Sequence, residues 1–257
     1  MRSQTAMSPR VRQARIADMV RTRGTVTVEA LARAFQASHE TIRRDLTALS
    51  EAGVVQKVHG GAKVPSRREE GPFRDRMTQH EPAKREIAAK LARLIEPGET
   101  LLIDTGSTTL LCAQDLARID RLTVVTNSTR IAATIADGGR ASGVFLVGGA
   151  YDGDNRETVG PMAVRQLAAF HADRAILGAA ALNARAGVAD INVNEAHIAQ
   201  AMVDLADSVV VVADSSKFDR HAAFTVCGFG QVDHLVCERA PDGTLAEALA
   251  ASGVHVQ

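Results

Sequence analysis

The feature that most constrains this chain is the stretch Thr27–Ala62, TVEALARAFQASHETIRRDLTALSEAGVVQKVHGGA. Its apolar residues recur at helical spacing in two neighbouring runs. Leu31, Ala32 and Phe35 make one stripe; Ile42, Leu46, Leu49 and Val54 make the next. An earlier run, Val11–Arg23, adds Ile16, Met19 and Val20. Thr27 is placed to cap the second helix, over Val28–Gln36. Ser38 is placed to cap the third, which Gly53 can end. Three short helices share one small core. The alternating Val54–His59 and a double glycine, Gly60-Gly61, follow. This order predicts an α+β helix-turn-helix with a two-stranded wing.

Glu40, Arg43, Arg44 and Thr47 fall on the side of the third helix away from its apolar stripe. Arginine pairs in bidentate fashion with O6 and N7 of guanine, worth roughly 1–3 kcal/mol per good contact. Ser38, His39 and Thr41 stand at the helix N-terminus, where phosphate contacts are made. Asp45, beside the arginines, is expected to brace them. Lys57 and His59 on the wing are expected near the DNA backbone. An isolated Arg-Arg pair would be only a solvated helix face. The complete order of helix, turn, helix and wing is what assigns double-stranded DNA as partner.

Charge is placed accordingly. The whole chain is neutral, with 30 Lys and Arg against 30 Asp and Glu. Met1–Lys63 holds 11 basic and 5 acidic residues, a net of +6, so the remainder carries −6. A basic head on an acidic body suits one DNA-binding module joined to a domain that does not bind DNA. The length suggests two domains, and the pattern puts a head at residues 8–63, a linker at 64–80 and a second domain at 81–257. Pro65, Gly71 and Pro72 with mixed charges mark the linker.

In the second domain, Ile87, Leu91, Leu94 and Ile95 mark an amphipathic helix to about Glu96, stopped by Pro97-Gly98. Strands are then expected at Thr100–Asp104, Leu122–Thr126, Val144–Val147, Arg174–Leu177, Ser208–Ala213 and His234–Cys237. Helices are expected at Thr108–Ala117, Thr129–Asp137, Pro161–Phe170, Glu195–Leu205 and Leu245–Ala251. Apolar runs with helices between them predict an α/β fold, a mostly parallel sheet with helices on both faces. Ligands bind such sheets at the carboxyl ends of the strands.

Four strand ends there carry polar loops. Asp104 is followed by Thr105, Gly106, Ser107, Thr108 and Thr109, a tight turn into a helix whose amides and hydroxyls can converge on an anion. Thr126, Asn127 and Ser128 follow the next strand, Gly148 and Gly149 a third, and Asp214 and Lys217 a later one. Each loop alone could simply cap its helix. Together they predict a site for a small, anionic, polyhydroxylated ligand. The glycines match neither Walker nor dinucleotide fingerprints. No cofactor and no metal site is expected: Cys112, Cys227 and Cys237 have apolar settings, and the histidines do not cluster. The absence of a long apolar segment or signal core predicts no membrane span and a cytoplasmic location.

The runs Glu40-Thr41-Ile42-Arg43-Arg44-Asp45-Leu46 and Val58-His59-Gly60-Gly61-Ala62 resemble the signature of DeoR-type bacterial transcriptional regulators. Lys84-Arg85-Glu86-Ile87-Ala88, the Asp104–Thr109 loop, Val125–Ser128, Val147-Gly148-Gly149 and Ala213–Phe218 fall in that family's order. The resemblance implies a repressor of a carbohydrate or polyol operon, released from operator DNA by a phosphorylated sugar or polyol. It also implies a sensor domain similar in fold to ribose-5-phosphate isomerases, which raises an enzyme as the alternative. Glu195 would then be the remnant of a general base, near Asp104 and Lys217. The acidic pair such enzymes place after the strand at Arg174–Leu177 is replaced by Gly178-Ala179-Ala180-Ala181. Their lysine before the glutamate is missing from Ile191-Asn192-Val193-Asn194. The pocket is therefore read as a binding site without a complete catalytic set. A purely architectural DNA-binding protein would not need hydroxyl-rich strand ends. One winged head has a small footprint, so a homo-oligomer, dimer or tetramer, is expected. The helix near Lys84–Ile95 and the last strand are its candidate contact surfaces.

Overall fold

The structure, a computed structural model, describes residues 7–51, 54–58, 60–63 and 71–257. Gly53 and His59 lie outside the described residues, as do residues 64–70 of the expected linker. The chain divides into two compact units, Met1–Gly71 and Pro72–Gln257.

The first unit holds α1 (Pro9–Arg23), β1 (Thr25–Thr27), α2 (Val28–Phe35), α3 (His39–Glu51), β2 (Gln56–Val58) and β3 (Gly61–Lys63). Both anticipated caps are formed. The Thr27 hydroxyl accepts from the Ala30 amide at 3.1 Å, and the Ser38 hydroxyl from the Thr41 amide at 3.1 Å. Ile16, Val20, Leu31, Ile42 and Leu46 form the buried centre. The stripe on α3 ends differently from the sequence reading: Val54 is 41% exposed and Val55 is buried in its place. The three strands form an antiparallel sheet in the order β1-β3-β2, so the wing has a third strand from before α2. Gly61 sits in β3 rather than in the turn, and a Cβ there would collide with the Val26 carbonyl.

Asp45 corrects a second expectation. It is buried and faces α1, not the arginines: its carboxylate accepts from Arg12 and from Gln13 Nε2 at 3.0 Å. That hydrogen bond, more than the charge, pushes the Arg12 pKa up. Asp45→Ala should therefore destabilise the head. Removing one partner of a buried pair typically costs 3–5 kcal/mol, but Arg12 keeps a 13% exposed side chain, so about 2 kcal/mol is expected. Chemical denaturation of the isolated transition checks it.

The second unit begins with α4 (Phe73–Thr78) and α5 (Glu81–Ala92). Then come β4 (Thr100–Ile103), α6 (Ser107–Leu116), β5 (Thr123–Thr126), α7 (Thr129–Gly138) and β6 (Gly143–Leu146). A hairpin of β7 (Ala150–Asp152) and β8 (Glu157–Val159) precedes α8 (Pro161–Leu167) and β9 (Ala172–Leu177). The chain continues through β10 (Ala181–Asn183), β11 (Gly187–Asp190), α9 (Val193–Asp204), β12 (Ala206–Val212) and β13 (Phe224–Cys227). It ends with β14 (His234–Val236), α10 (Gly243–Ala251) and β15 (His255–Val256).

Seven strands make one sheet in the order β15-β14-β12-β9-β4-β5-β6, and every pairing in it is parallel. Successive strand residues serve opposite faces. Leu101, Ile103, Val124, Ile176, Val210 and Val212 join one apolar cluster with α5 and α6. Leu102, Val125, Ala175, Leu177, Val209 and Val211 join another with α8 and α9. Both faces are thus covered, which is why these strands read as unbroken apolar runs. The strand order reverses between β4 and β9, where a ligand crevice opens in such folds.

Several elements differ from the sequence reading. Phe73–Thr78, inside the stretch composed like a linker, is helical, with Phe73 buried in the core of the second unit. The hairpin β7–β8 and a small sheet, β10-β11-β13, were not anticipated. The stripe Lys84, Ile87, Leu91 and Ile95 is buried inside this unit, and β14 is covered by β15. The three cysteines are free and buried. Burial pushes the Cys227 thiol up to about 11. Among the described residues, no helix is long and apolar enough to cross a membrane, and no group of His, Cys, Asp or Glu is set to hold a metal ion.

Candidate functional site

In the first unit, Ser38 stands directly before α3, and His39, Thr41, Arg43, Arg44 and Thr47 lie along it. His39, Arg43 and Arg44 are exposed, while Thr41 and Thr47 are half-buried. The Ser38 and Thr41 hydroxyls lie 2.9 Å apart within the cap, so both are already engaged by the helix start. Arg44 reaches Glu40 at 3.4 Å across one turn, with both side chains open to solvent. Such a pair contributes about 0.3–0.5 kcal/mol and is readily given up. Lys57 on β2 donates to the Thr47 hydroxyl at 3.1 Å, which joins the wing to the open side of α3. The result is one face with a row of basic and hydroxyl groups on a helix, flanked by a short hairpin. A helix so presented fits the major groove.

In the second unit, the loops after β4 and β5 meet next to the switch point. The Thr105 amide donates to Asp104 Oδ1 at 2.8 Å and to Asn127 Oδ1 at 3.2 Å, which ties the two loops together. Gly106 starts α6 with φ +154, a conformation that side chains rarely adopt. No side-chain hydrogen bond caps that helix. By contrast, Ser128 caps α7 and Asn192 caps α9. Thr109 turns its hydroxyl back onto the Gly106 carbonyl at 3.2 Å. The start of α6 thus offers backbone N–H groups and the positive end of its dipole. Among the described residues, the buried Thr105 hydroxyl and Asp214 Oδ2 find no hydrogen-bond partner. Buried polar atoms left so are uncommon and call for a ligand or water.

Beside this cradle lies a floor of carboxylates. Asn127 donates to Glu157 Oε2 at 3.1 Å, and Asn155 donates to Glu157 Oε1 at 3.0 Å and to Glu195 Oε1 at 3.1 Å. Asn192 adds a bond to Glu195 Oε1 at 2.8 Å. Asp104 is buried, and its pKa stands well above the carboxylate range. Desolvation is the main cause, followed by the charges of Glu157, Glu195 and Asp190. Desolvation likewise raises Glu157 to about 7, although Asn155 and Arg76 oppose it. These groups can accept hydrogen bonds from hydroxyls, and protonated they can also donate.

Sequence reasoning missed Glu157, Asn155 and Lys84. Lys84 is buried, and its ammonium donates to Ser107 Oγ at 2.8 Å and to the Arg76 carbonyl at 2.6 Å. A lysine on the buried stripe of an amphipathic helix, three residues before Ile87, was the signal available. Glu157 gave none, because its strand is short and lacks apolar alternation. The other expected residues are placed less centrally. Gly148 receives a packing role, its amide donating to Gln166 Oε1 at 2.8 Å. A Cβ on Gly149 would stand 2.6 Å from the Val159 carbonyl. Asp214 is buried after β12, and Lys217 closes the half-buried turn Ser215–Lys217, two strands from β4 in the sheet order.

Comparison with known proteins accords with these two units. Residues 12–68 match the model of the DeoR-like helix-turn-helix domain, and residues 79–239 that of the DeoR C-terminal sensor domain. The transcriptional repressor AccR of Agrobacterium fabrum is 34% identical over 229 residues, 88% of each chain. The glycerol-3-phosphate regulon repressor of Escherichia coli is 30% identical over 244 residues, 94% of this chain and 95% of its own. The repressor CsqR of Escherichia coli is 29% identical over 254 residues, 99% of this chain and 97% of its own. A solved ribose 5-phosphate isomerase A from Methanocaldococcus jannaschii aligns over 54% of each chain at 16% identity and TM-score 0.39, a likeness too slight to carry weight. With both of the family's domains in their order and relatives matched along nearly the whole length, the chain belongs to the DeoR family of DNA-binding transcriptional regulators.

Proposed function

We propose that the chain represses a carbohydrate or polyol catabolic operon and is released from its operator by a phosphorylated sugar or polyol. Residues 8–63 act as the DNA-binding head and 81–257 as the effector domain, in a cytoplasmic homo-oligomer that matches repeated half-sites. Arg43 and Arg44 read bases. Ser38, His39, Thr41, Thr47, Lys57 and His59 hold the backbone. The observation that carries the effector reading is the uncapped start of α6 with buried Lys84 at its first residue, set beside a hydrogen-bonded carboxylate floor. A phosphate suits the first part and hydroxyls suit the second. Asp104, Glu157 and Glu195 would accept from hydroxyls, with Lys84 and the amides of Ser107, Thr108 and Thr109 on the phosphate. The glycerol-3-phosphate regulon repressors among the relatives agree with a small phosphorylated polyol as the kind of signal.

A thermal-shift series tests it, with sugar and polyol phosphates run beside their unphosphorylated forms. A ligand of the native state raises stability by about 2.7 kcal/mol at 100 times its Kd. Equal shifts with the unphosphorylated forms would remove the phosphate from the account.

The wing gives a further expectation. Lys57→Ala should weaken binding to all DNA sequences alike and reduce the slope of log K against log salt by about 0.9, one phosphate contact. Fluorescence anisotropy at several salt concentrations measures this.

One observation favours a second reading, sugar-phosphate isomerisation: a carboxyl near 7, Glu157, stands in a pocket, where proton-transfer groups are found. Against it, Gly178-Ala179-Ala180-Ala181 supplies no acid or base at the end of β9. Turnover of a sugar phosphate by purified protein, abolished in Glu195→Gln, would establish the enzyme instead.

A further inference from the structure

Helix α4, the first element of the sensor unit and the next one in sequence after the head, is held by the walls of the pocket. The Phe73 amide donates to Asp154 Oδ2 at 3.1 Å, in the turn between β7 and β8. The Arg76 guanidinium donates to Asn155 Oδ1, and Asn155 in turn holds both Glu157 and Glu195. The Arg76 carbonyl accepts from Lys84, whose ammonium also reaches Ser107 at the start of α6. The buried Phe73 ring carries the Arg130 guanidinium 4.2 Å from its centroid and the Arg76 guanidinium at 5.2 Å. A helix of 6 residues does not persist alone in water. Its order rests on these contacts, and two of its polar tethers end on residues that line the phosphate cradle and the acid floor.

We propose that α4 is the element that reports pocket occupancy, an inference that rests on reading the strand ends as a phosphate-binding pocket. A phosphate at the start of α6 competes with the Arg76 carbonyl for Lys84. An ionised phosphate oxygen is a stronger acceptor than a neutral carbonyl, so Lys84 moves its bond to the anion. Hydroxyls donating to Glu157 and Glu195 displace Asn155 Nδ2 from those carboxylates, which frees the side chain whose Oδ1 holds Arg76. Filling the pocket therefore loosens α4, and with it the covalent attachment of the head. In the empty protein the same tethers hold α4 and keep the head competent for the operator.

Hydrogen exchange of the full-length protein, read by mass spectrometry, tests this with inorganic phosphate and glycerol 3-phosphate as probes against chloride at equal ionic strength. The expected result is slower exchange at the Ser107, Thr108 and Thr109 amides together with faster exchange in α4, roughly five- to tenfold, the lower part of ordinary coupling between sites. Slower exchange at the start of α6 with α4 unchanged or slowed would overturn the inference while leaving the pocket reading intact. No change at either place with either probe would remove the pocket reading and the inference with it. Lys84→Met should show fast exchange in α4 without any probe, and Lys84→Arg should restore part of the protection. If a folded Lys84→Met keeps the parent's exchange in α4, the tether is not what holds the helix and the inference fails. Should Lys84→Met not fold, the parent protein with the two probes decides alone.

Discussion

The double variant Arg43→Ala/Arg44→Ala is expected to lose specific operator binding by about two orders of magnitude or more, with unchanged thermal stability. The size follows from roughly 1–3 kcal/mol for each good bidentate arginine contact to guanine. Unchanged stability follows from position. Both side chains are exposed on α3, and the ion pair of Arg44 with Glu40 is a surface pair. Each single variant should relax preference at one or two base pairs and keep most of the salt dependence, because the backbone contacts stay. A gel-shift series on operator and scrambled DNA reads both quantities. If the double variant binds operator as the parent does, α3 is not the reading helix.

The second large effect is on stability. Raising the pH from about 4 to about 8 should destabilise the sensor unit by about 3 kcal/mol through Glu157 alone. Its carboxyl titrates near 4.5 when exposed and near 7 when folded. A raised folded pKa means that the native state holds the proton more tightly. The contribution is complete below about 4.5 and is lost as pH rises through about 7. A shift of this size, at about 1.36 kcal/mol per unit, gives the stated figure. Asp104 is shifted in the same direction and adds to the slope. In Glu157→Gln the dependence between these limits should flatten, whatever the variant does to absolute stability. A denaturant midpoint that rises with pH across this window would show that Glu157 is ionised and stabilised in the folded state. The physical reason for the trend is that burial withholds water from Glu157, a desolvation cost that falls on its ionised form.

The elements that the sequence made legible are those with a periodic signal. Leu101-Leu102-Ile103 and Val209–Val212 are apolar at every position because both faces of the sheet are covered, and the sequence reads as strand. Thr27 and Ser38 were recognisable as caps because a hydroxyl directly before a helical stripe has few other uses. The hairpin β7–β8 left no such trace. Glu157-Thr158-Val159 is buried throughout, yet two of its three residues are polar and pair with Asn127, Asn155 and Val147. Its burial comes from a hydrogen-bond network assembled from distant loops, and no window of local sequence contains that network. Asp45 shows the same limit: sequence neighbours suggested the arginines, while the helical turn aims it at Arg12 from 33 residues away. Val54 and Val55 were exchanged because the position of the helix end decides which valine turns inward. At the strand ends, Asp104 to Thr109 and Asn127 were legible as polar turns after strands. Lys84 was legible in principle as a charge on a buried stripe.

The central claim is that one phosphorylated polyol or sugar, bound at the strand ends, lowers the affinity of the head for operator DNA. Fluorescence anisotropy on labelled operator, titrated with each phosphate that raises thermal stability and with its unphosphorylated counterpart, measures this directly. The account predicts that the phosphorylated form weakens operator binding by roughly 5–150-fold, and that operator DNA weakens binding of that phosphate by the same factor, since coupling is reciprocal. A phosphate that binds the sensor tightly and leaves operator affinity unchanged would contradict it.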